Sequence, residues 1–238
     1  MAFPISSGEG GEGISMEVAA NLEEINHKIE RACIKSNRLV EDITLIGVTK
    51  YVTIERTKEA IQAGICNLGE NRLEGFQEKY DSLQETDVKW HFIGTLQSRK
   101  VKEVIHQVDV IHSLDRLSLA KEINKRAEKT IDCFVQVNVS KEESKHGIMP
   151  EEVLTFIGKL RDFSRIRVVG LMTMAPHIED KEALRQVFKR LASLRKEVQE
   201  KGYDSAPCAY LSMGMSNDFE LAIEEGATHI RIGTKLVG

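Results

Sequence analysis

With 238 residues, 41% of them hydrophobic, 29% charged and only 17 Gly and 4 Pro, the chain is globular in composition and too short for a long multidomain machine. Lys and Arg number 33 against 37 Asp and Glu, and no basic block interleaved with aromatics occurs, so no nucleic-acid partner is expected. No apolar run approaches the roughly 18–20 residues of a membrane span, and the N-terminus lacks the layout of a signal peptide, so a cytoplasmic protein with no membrane partner is expected.

The first fifteen residues, MAFPISSGEGGEGIS, have no hydrophobic period and read as a disordered leader or a cloning remnant, with Met16 as an alternative start. From Glu17 to about Lys35 the apolar residues Val18, Leu22, Ile25, Ile29 and Cys33 recur at helical spacing. Short apolar runs then alternate with amphipathic segments. The predicted strands are Thr44–Lys50, Asn67–Glu70, Trp90–Gly94, Val110–Ser113, Asp132–Val139, Arg167–Met174, Tyr210–Ser212 and Ile230–Ile232. Helices such as Ile54–Ala63, Glu151–Asp162 and Lys181–Lys201 separate them, and Gly64, Gly202 and Gly226 stand where helices end.

Eight such repeats, several with strands apolar on both faces, predict an α/β fold: a single (β/α)8 TIM-type barrel with an extra N-terminal helix over 16–238. A doubly wound open sheet is the competing architecture. Cys33, Cys66, Cys133 and Cys208 are far apart, without metal-ligand spacing, and read as reduced thiols. The small net charge of −4 and the lack of an obvious exposed apolar stripe favour a monomer.

In a parallel barrel, function gathers at the C-terminal strand ends. The residues there are Lys50, Asn71, Gly94, Ser113, Asn138, Met174, Ser212 and Arg231. Lys50, ending ITLIGVT, is either a partly desolvated amine able to form a Schiff base with an aldehyde or a lysine that snorkels out of a strand end. In LSMGMSNDFELAIEEGA, Ser212, Gly214, Met215 and Ser216 lie between a strand and a helix, where N–H groups can converge on an anion, although Asn217 or Asp218 could simply cap that helix. A second turn, HIRIGT, places Gly233 and Thr234 after the last strand. Either turn alone could be a plain structural turn, but two at the last two strands favour a phosphate site, while Arg231 faces either solvent or a ligand inside the barrel. A lysine and a phosphate cradle together suit an aldehyde bearing a phosphate, and pyridoxal 5′-phosphate (PLP) fits that description.

The motifs GVTK (47–50), LGEN (68–71), WHFIGTLQSRK (90–100), IHSLD (111–115), SKHG (144–147), GLMTMAP (170–176) and LSMGMSNDFELAIEEGATHIRIGTKLVG (211–238) occur in that order. Together they closely resemble the pyridoxal phosphate homeostasis protein family, from about Asn21 to the last residue. The resemblance implies a barrel like the N-terminal domain of alanine racemase, with PLP as an internal aldimine on Lys50. It implies phosphate binding by Ser212, the backbone around Gly214 and Met215, and Gly233 and Thr234, with Arg231 directed at the pyridine nitrogen. Asn71, Ile93, Gly94, Ser113, Asn138 and Met172 to Met174 would line the ring pocket or its floor. His91 reads as a satisfied core histidine. Lys145 is either a solvated loop lysine or an acceptor of PLP in a transfer step. Related chains often continue past the IGT segment with a short basic tail, whereas this sequence stops at Gly238.

An arginine at the pyridine nitrogen disfavours its protonation and weakens the ring as an electron sink. A racemase also needs a second base, which in the alanine racemase family is a tyrosine of an additional β domain, and nothing after Gly238 supplies one. The expectation is therefore a PLP-binding homeostasis protein supplying apo PLP-dependent enzymes. The alternatives are a racemase-like PLP enzyme and a cofactor-free aldolase-type barrel using Lys50.

Overall fold

The computed structural model describes residues 12–143 and 145–238, with side chains from Glu17 onward. The expected leader over 1–15 falls mostly outside the described residues, and Glu12 already belongs to the first helix. Eight parallel strands close into a barrel in sequence order: β1 (Thr44–Val48), β2 (Asn67–Glu70), β3 (Lys89–Phe92), β4 (Val110–Leu114), β5 (Ile131–Gln136), β6 (Ile166–Met172), β7 (Tyr210–Ser212) and β8 (His229–Ile232). The register of β8 against β1, with Ile46 opposite Arg231, closes the ring and rules out the open sheet.

Outside the strands run α1 (Glu12–Lys35), α2 (Ile54–Gln62), α3 (Leu73–Ser82), α4 (Val101–Val104), α5 (Leu117–Arg126), α6 (Val153–Leu160), α7 (Lys181–Lys201), α8 (Phe219–Glu224) and α9 (Thr234–Val237). The extra helix, α1, buries Val18, Ile25, Ile29 and Cys33 and packs across α2, α8 and α9, covering the seam where β8 meets β1. Asn21 Nδ2 donates to Leu236 O at 3.0 Å, and Arg56 Nε donates to Val237 O at 3.0 Å, so the last turn of chain is tied to the first two helices. Gly202 closes α7 at φ +65, the left-handed conformation its position predicted. No helix among the described residues is long and apolar enough to cross a membrane.

Several strands stop before their apolar runs do. β1 ends at Val48 rather than Lys50, β3 at Phe92 rather than Gly94, and β6 at Met172 rather than Met174. Apolarity reports burial, not ladder pairing, and residues such as Ile93 stay buried as the chain turns away over the barrel mouth.

The strands separate two cores. Leu45, Ile111, Cys133, Val135, Leu171, Leu211, Ile230 and Ile232 face the helices. The barrel interior holds a smaller apolar set, Ile46, Ile93, Val110, Phe134, Val169 and Met172. Barrel interiors are usually filled with layers of branched aliphatics. Here His91, His112, His229, Ser212 and Arg231 are all buried as well. His91 Nδ1 and His112 Nε2 are 2.8 Å apart, and His91 Nε2 is 2.8 Å from Asn67 Oδ1. His91 is thus the satisfied core histidine expected from the sequence.

This core makes stability depend on acid. Burial holds His91 and His112 well below the ordinary histidine value and pushes His229 down to about 4. The unfolded chain takes up these protons below about pH 6.5 while the folded chain does not, so unfolding becomes easier as pH falls. Stability is complete above about pH 6.5, and each histidine then removes up to about 1.4 kcal/mol per pH unit down to its folded value. Asp218, whose carboxyl burial raises, acts in the opposite sense but is one group against three. Urea midpoints measured across this window should fall steeply, and a flat profile would contradict neutral buried histidines.

Candidate functional site

Lys50 stands two residues beyond β1, in a turn at the C-terminal mouth. It is exposed, which accords with the snorkelling alternative and not with a partly desolvated amine. Thr49 takes the buried position instead, and the long lysine stem carries its ammonium outward to lie 5.9 Å from the Tyr51 ring centroid. Tyr51 has φ +64, an uncommon conformation for an aromatic residue, and the Arg72 guanidinium carbon lies 5.1 Å from the same ring.

The base of this turn is anchored below the surface. Thr49 N–H donates to Gly69 O at 3.1 Å, and Thr49 Oγ1 donates to Glu70 Oε1 at 2.7 Å. Lys79 of α3 pairs with Glu70 Oε1 at 2.6 Å and also donates to Thr49 O. Glu70 and Lys79 are 1% and 5% exposed, so the residue before Lys50 is held by a buried ion pair. Sequence reading missed this pair. The available signals were an acidic residue closing the apolar strand in LGEN and a lysine three positions after Phe76, on the buried face of α3.

Around the mouth, Asn71 follows β2 and its Oδ1 is buried with no hydrogen-bond partner among the described residues. A Cβ at Gly94 would sit 2.1 Å from Asn71 O, so only glycine lets these two loops approach. Ser113 Oγ is likewise buried and unpartnered. Two orphaned polar oxygens near the mouth are what a polar ligand would relieve. Asn138 is engaged within its own loop, donating to Glu142 O at 2.8 Å and accepting from Glu142 N–H at 3.2 Å. Lys145 folds onto the mouth, donating to Met174 O at 3.2 Å and pairing with Glu142 at 3.1 Å.

The last two strands bring the remaining residues together. Arg231 N–H donates to Gly214 O at 3.0 Å, which sets the β7–α8 turn beside the β8–α9 turn, and Lys235 Nζ crosses between them to Ser216 O at 3.0 Å. Gly214 has φ +102 and Gly233 opens α9 with Thr234 at its first position, exposed. Met215 N–H, expected to face a phosphate, donates instead to Asp218 Oδ1 at 2.7 Å, because Asp218 turns its carboxylate back onto the turn that precedes its helix. A cleft of about 700 Å³ adjoins this turn pair, with Ser216, Asn217, His177 and Lys235 on its wall.

Arg231 is 3% exposed and points into the barrel, not to solvent. Its Nη1 donates to Ser212 Oγ at 2.5 Å, and its Nη2 donates to Thr173 O at 3.0 Å and contacts Met174 Sδ at 3.3 Å. No carboxylate lies within ion-pair distance of it among the described residues, Asp218 supporting its charge only from farther off, and burial lowers its pKa to about 10, leaving it cationic at neutral pH. Ser212 is fully buried against Arg231 and His112, with His112 Nδ1 at 2.9 Å. Lys50 makes no hydrogen bond to any of these groups among the described residues. Those residues also hold no cluster of His, Cys, Asp or Glu suited to a metal ion.

A closed (β/α)8 barrel with a lysine after its first strand and glycine turns after its last two defines a protein of the alanine racemase N-terminal domain class, whose family model matches residues 20–238. Across 226 residues the chain is 42% identical to the pyridoxal phosphate homeostasis protein of Aquifex aeolicus, covering 94% of this chain and 98% of that one. The chain belongs to the pyridoxal phosphate homeostasis protein family. PipY of Synechococcus elongatus, solved with PLP bound, superimposes with a TM-score of 0.81 at 29% identity, over 93% of this chain and 100% of PipY. Alanine racemase of Corynebacterium glutamicum shares the fold alone, with a TM-score of 0.68 at 12% identity over 93% of this chain and 61% of the racemase.

Proposed function

We propose that this chain binds PLP covalently through Lys50 and keeps the cofactor available to apo PLP-dependent enzymes in the cytoplasm, without a strong activity of its own. PLP supplies an electrophilic aldehyde and a phosphate dianion. The Lys50 amine condenses with the aldehyde to an imine, releasing one water. The phosphate is assigned to the two turns, Gly214 to Ser216 and Gly233 to Thr234, with Met215 N–H freed if Asp218 turns away. Ser212, whose hydroxyl is engaged by Arg231 and His112, takes part through Arg231. Asn71 lines the ring pocket with an oxygen that has no partner among the described residues.

The observation that carries this reading is Arg231, a buried cation with no paired carboxylate among the described residues, beside two glycine turns and on the strand next to the one that Lys50 follows. Such a group suits an acceptor atom of a ligand, and the pyridine nitrogen is one. A guanidinium there keeps that nitrogen unprotonated, which favours holding the cofactor over withdrawing electrons from bound amino acids. Membership of a family whose characterised names describe PLP homeostasis supports the same role.

The test is the near-ultraviolet and visible spectrum of the purified protein incubated with PLP, before and after borohydride, with peptide mapping of the adduct. A visible band that borohydride bleaches, mapping to Lys50, is the expected result. A protein that stays colourless with PLP would sink the reading in favour of an aldolase-type barrel. Rapid exchange of amino-acid α-protons in deuterated water would move it to a racemase-like enzyme.

A further inference from the structure

Five polar groups cross the barrel interior in one unbroken chain: Arg231, Ser212, His112, His91 and Asn67. The direction of every bond in it follows from its ends. Arginine has only donors, so Ser212 Oγ accepts from Nη1. The Ser212 proton then goes to His112 Nδ1, its other partner, at 2.9 Å. A neutral His112 therefore carries its proton on Nε2 and donates it to His91 Nδ1, and His91 donates from Nε2 to Asn67. Asn67 Oδ1 can only accept, so the far end agrees with the near one.

Every donor in this chain points away from Arg231, so the negative ends of the dipoles all face the guanidinium. In a low-dielectric interior such bonds polarise one another. Resting on the reading of Arg231 given above, we propose that His112, His91 and Asn67 are positioning residues for Arg231: their oriented chain makes Ser212 a strong acceptor that steadies the buried cation in place of a carboxylate. A carboxylate would neutralise the guanidinium, whereas neutral dipoles hold it while leaving its charge for the bound ligand. Burial keeps both histidines neutral, as the chain requires. Asn67 is half-buried in a second cleft, at the opposite mouth, alongside Lys89, Asp132 and His229, so the chain begins far from the cofactor.

The histidine tautomers can be read in the protein without cofactor, by nitrogen NMR of histidine-labelled protein. Both His91 and His112 should be Nε2–H tautomers, and an Nδ1–H tautomer at either would overturn the proposal. In the PLP-loaded protein, His112→Phe keeps the ring stacked on Phe134, now 4.3 Å between centroids, but removes the acceptor. It should retain a borohydride-reducible bond at Lys50, shift the cofactor's absorption in the same direction as Arg231→Ala, and weaken PLP binding about tenfold. His112→Asn, which returns an acceptor toward Ser212, should recover most of the wild-type spectrum. Should the His112 variants fail to fold, Asn67→Ala, remote from the ligand, should give a smaller shift in the same direction. A wild-type spectrum in His112→Phe or in Asn67→Ala overturns the positioning role. Failure of the wild-type protein itself to bind PLP would instead overturn the proposed function, while the tautomers would still decide the hydrogen-bond chain.

Discussion

Lys50→Ala should abolish the borohydride-reducible adduct while leaving the protein folded. The side chain is exposed and makes no hydrogen bond among the described residues, so its removal should change unfolding free energy by no more than about 0.5 kcal/mol. Loss of the visible band would therefore report chemistry and not misfolding. The turns after β7 and β8, and Arg231, would still hold the phosphate and ring. PLP affinity should consequently fall by about a hundredfold, close to 2.7 kcal/mol, and not vanish. Equilibrium dialysis separates this residual binding from none. Arg231→Ala should do the opposite, keeping the adduct and changing its spectrum. A reducible adduct that persists in Lys50→Ala would refute the attachment site. Mapping of that adduct to Lys145, whose ammonium already reaches the mouth at Met174 O, would transfer the attachment there.

The barrel was legible because parallel strands with both faces buried write themselves as apolar runs, and eight short strand segments, several of them such runs, stood in order between amphipathic segments. Their C-terminal ends were less legible, since Ile93 is buried beyond its ladder. Candidate residues were legible where one residue type at a strand end can carry chemistry by itself, and the structure sets Lys50 just after β1 and Gly214, Arg231 and Gly233 on or after the last two strands. The site was illegible where meaning lies in a pair distant along the chain. Ser212 looks like a lone strand-end hydroxyl until His112, a hundred residues earlier, is found 2.9 Å from its Oγ. Met215 N–H looks free until Asp218 folds back onto it. Lys79 looks like one more surface lysine of an amphipathic helix, and only the closure of β1 on β2 reveals Glu70 and Thr49 beneath it.

That buried group gives the largest stability effect expected of a single polar substitution. In Lys79→Met the Glu70 carboxylate would stay buried with Thr49 Oγ1 as its remaining partner, and Thr49 O would lose one of its two donors, keeping Val52 N–H. Breaking a buried ion pair from one side costs roughly 3–5 kcal/mol. For a chain of this size each kcal/mol lowers the thermal midpoint by about 2–4 °C, so a fall of roughly 10 °C is expected by calorimetry. Replacing both partners, Glu70→Leu with Lys79→Met, removes the stranded charge along with the pair, and most of that loss should be recovered. Lys50 should not recover with it. Thr49 would still lack both its carboxylate acceptor and its ammonium donor, so the turn that presents Lys50 would keep only the backbone bonds Thr49 N–H to Gly69 O and Val52 N–H to Thr49 O. The double variant should therefore melt near the wild-type midpoint yet form the PLP imine more slowly, measured as the growth of visible absorbance after mixing. A wild-type rate in a stable double variant would reduce Glu70 and Lys79 to packing, and a wild-type midpoint in Lys79→Met would show that the pair contributes little even to that.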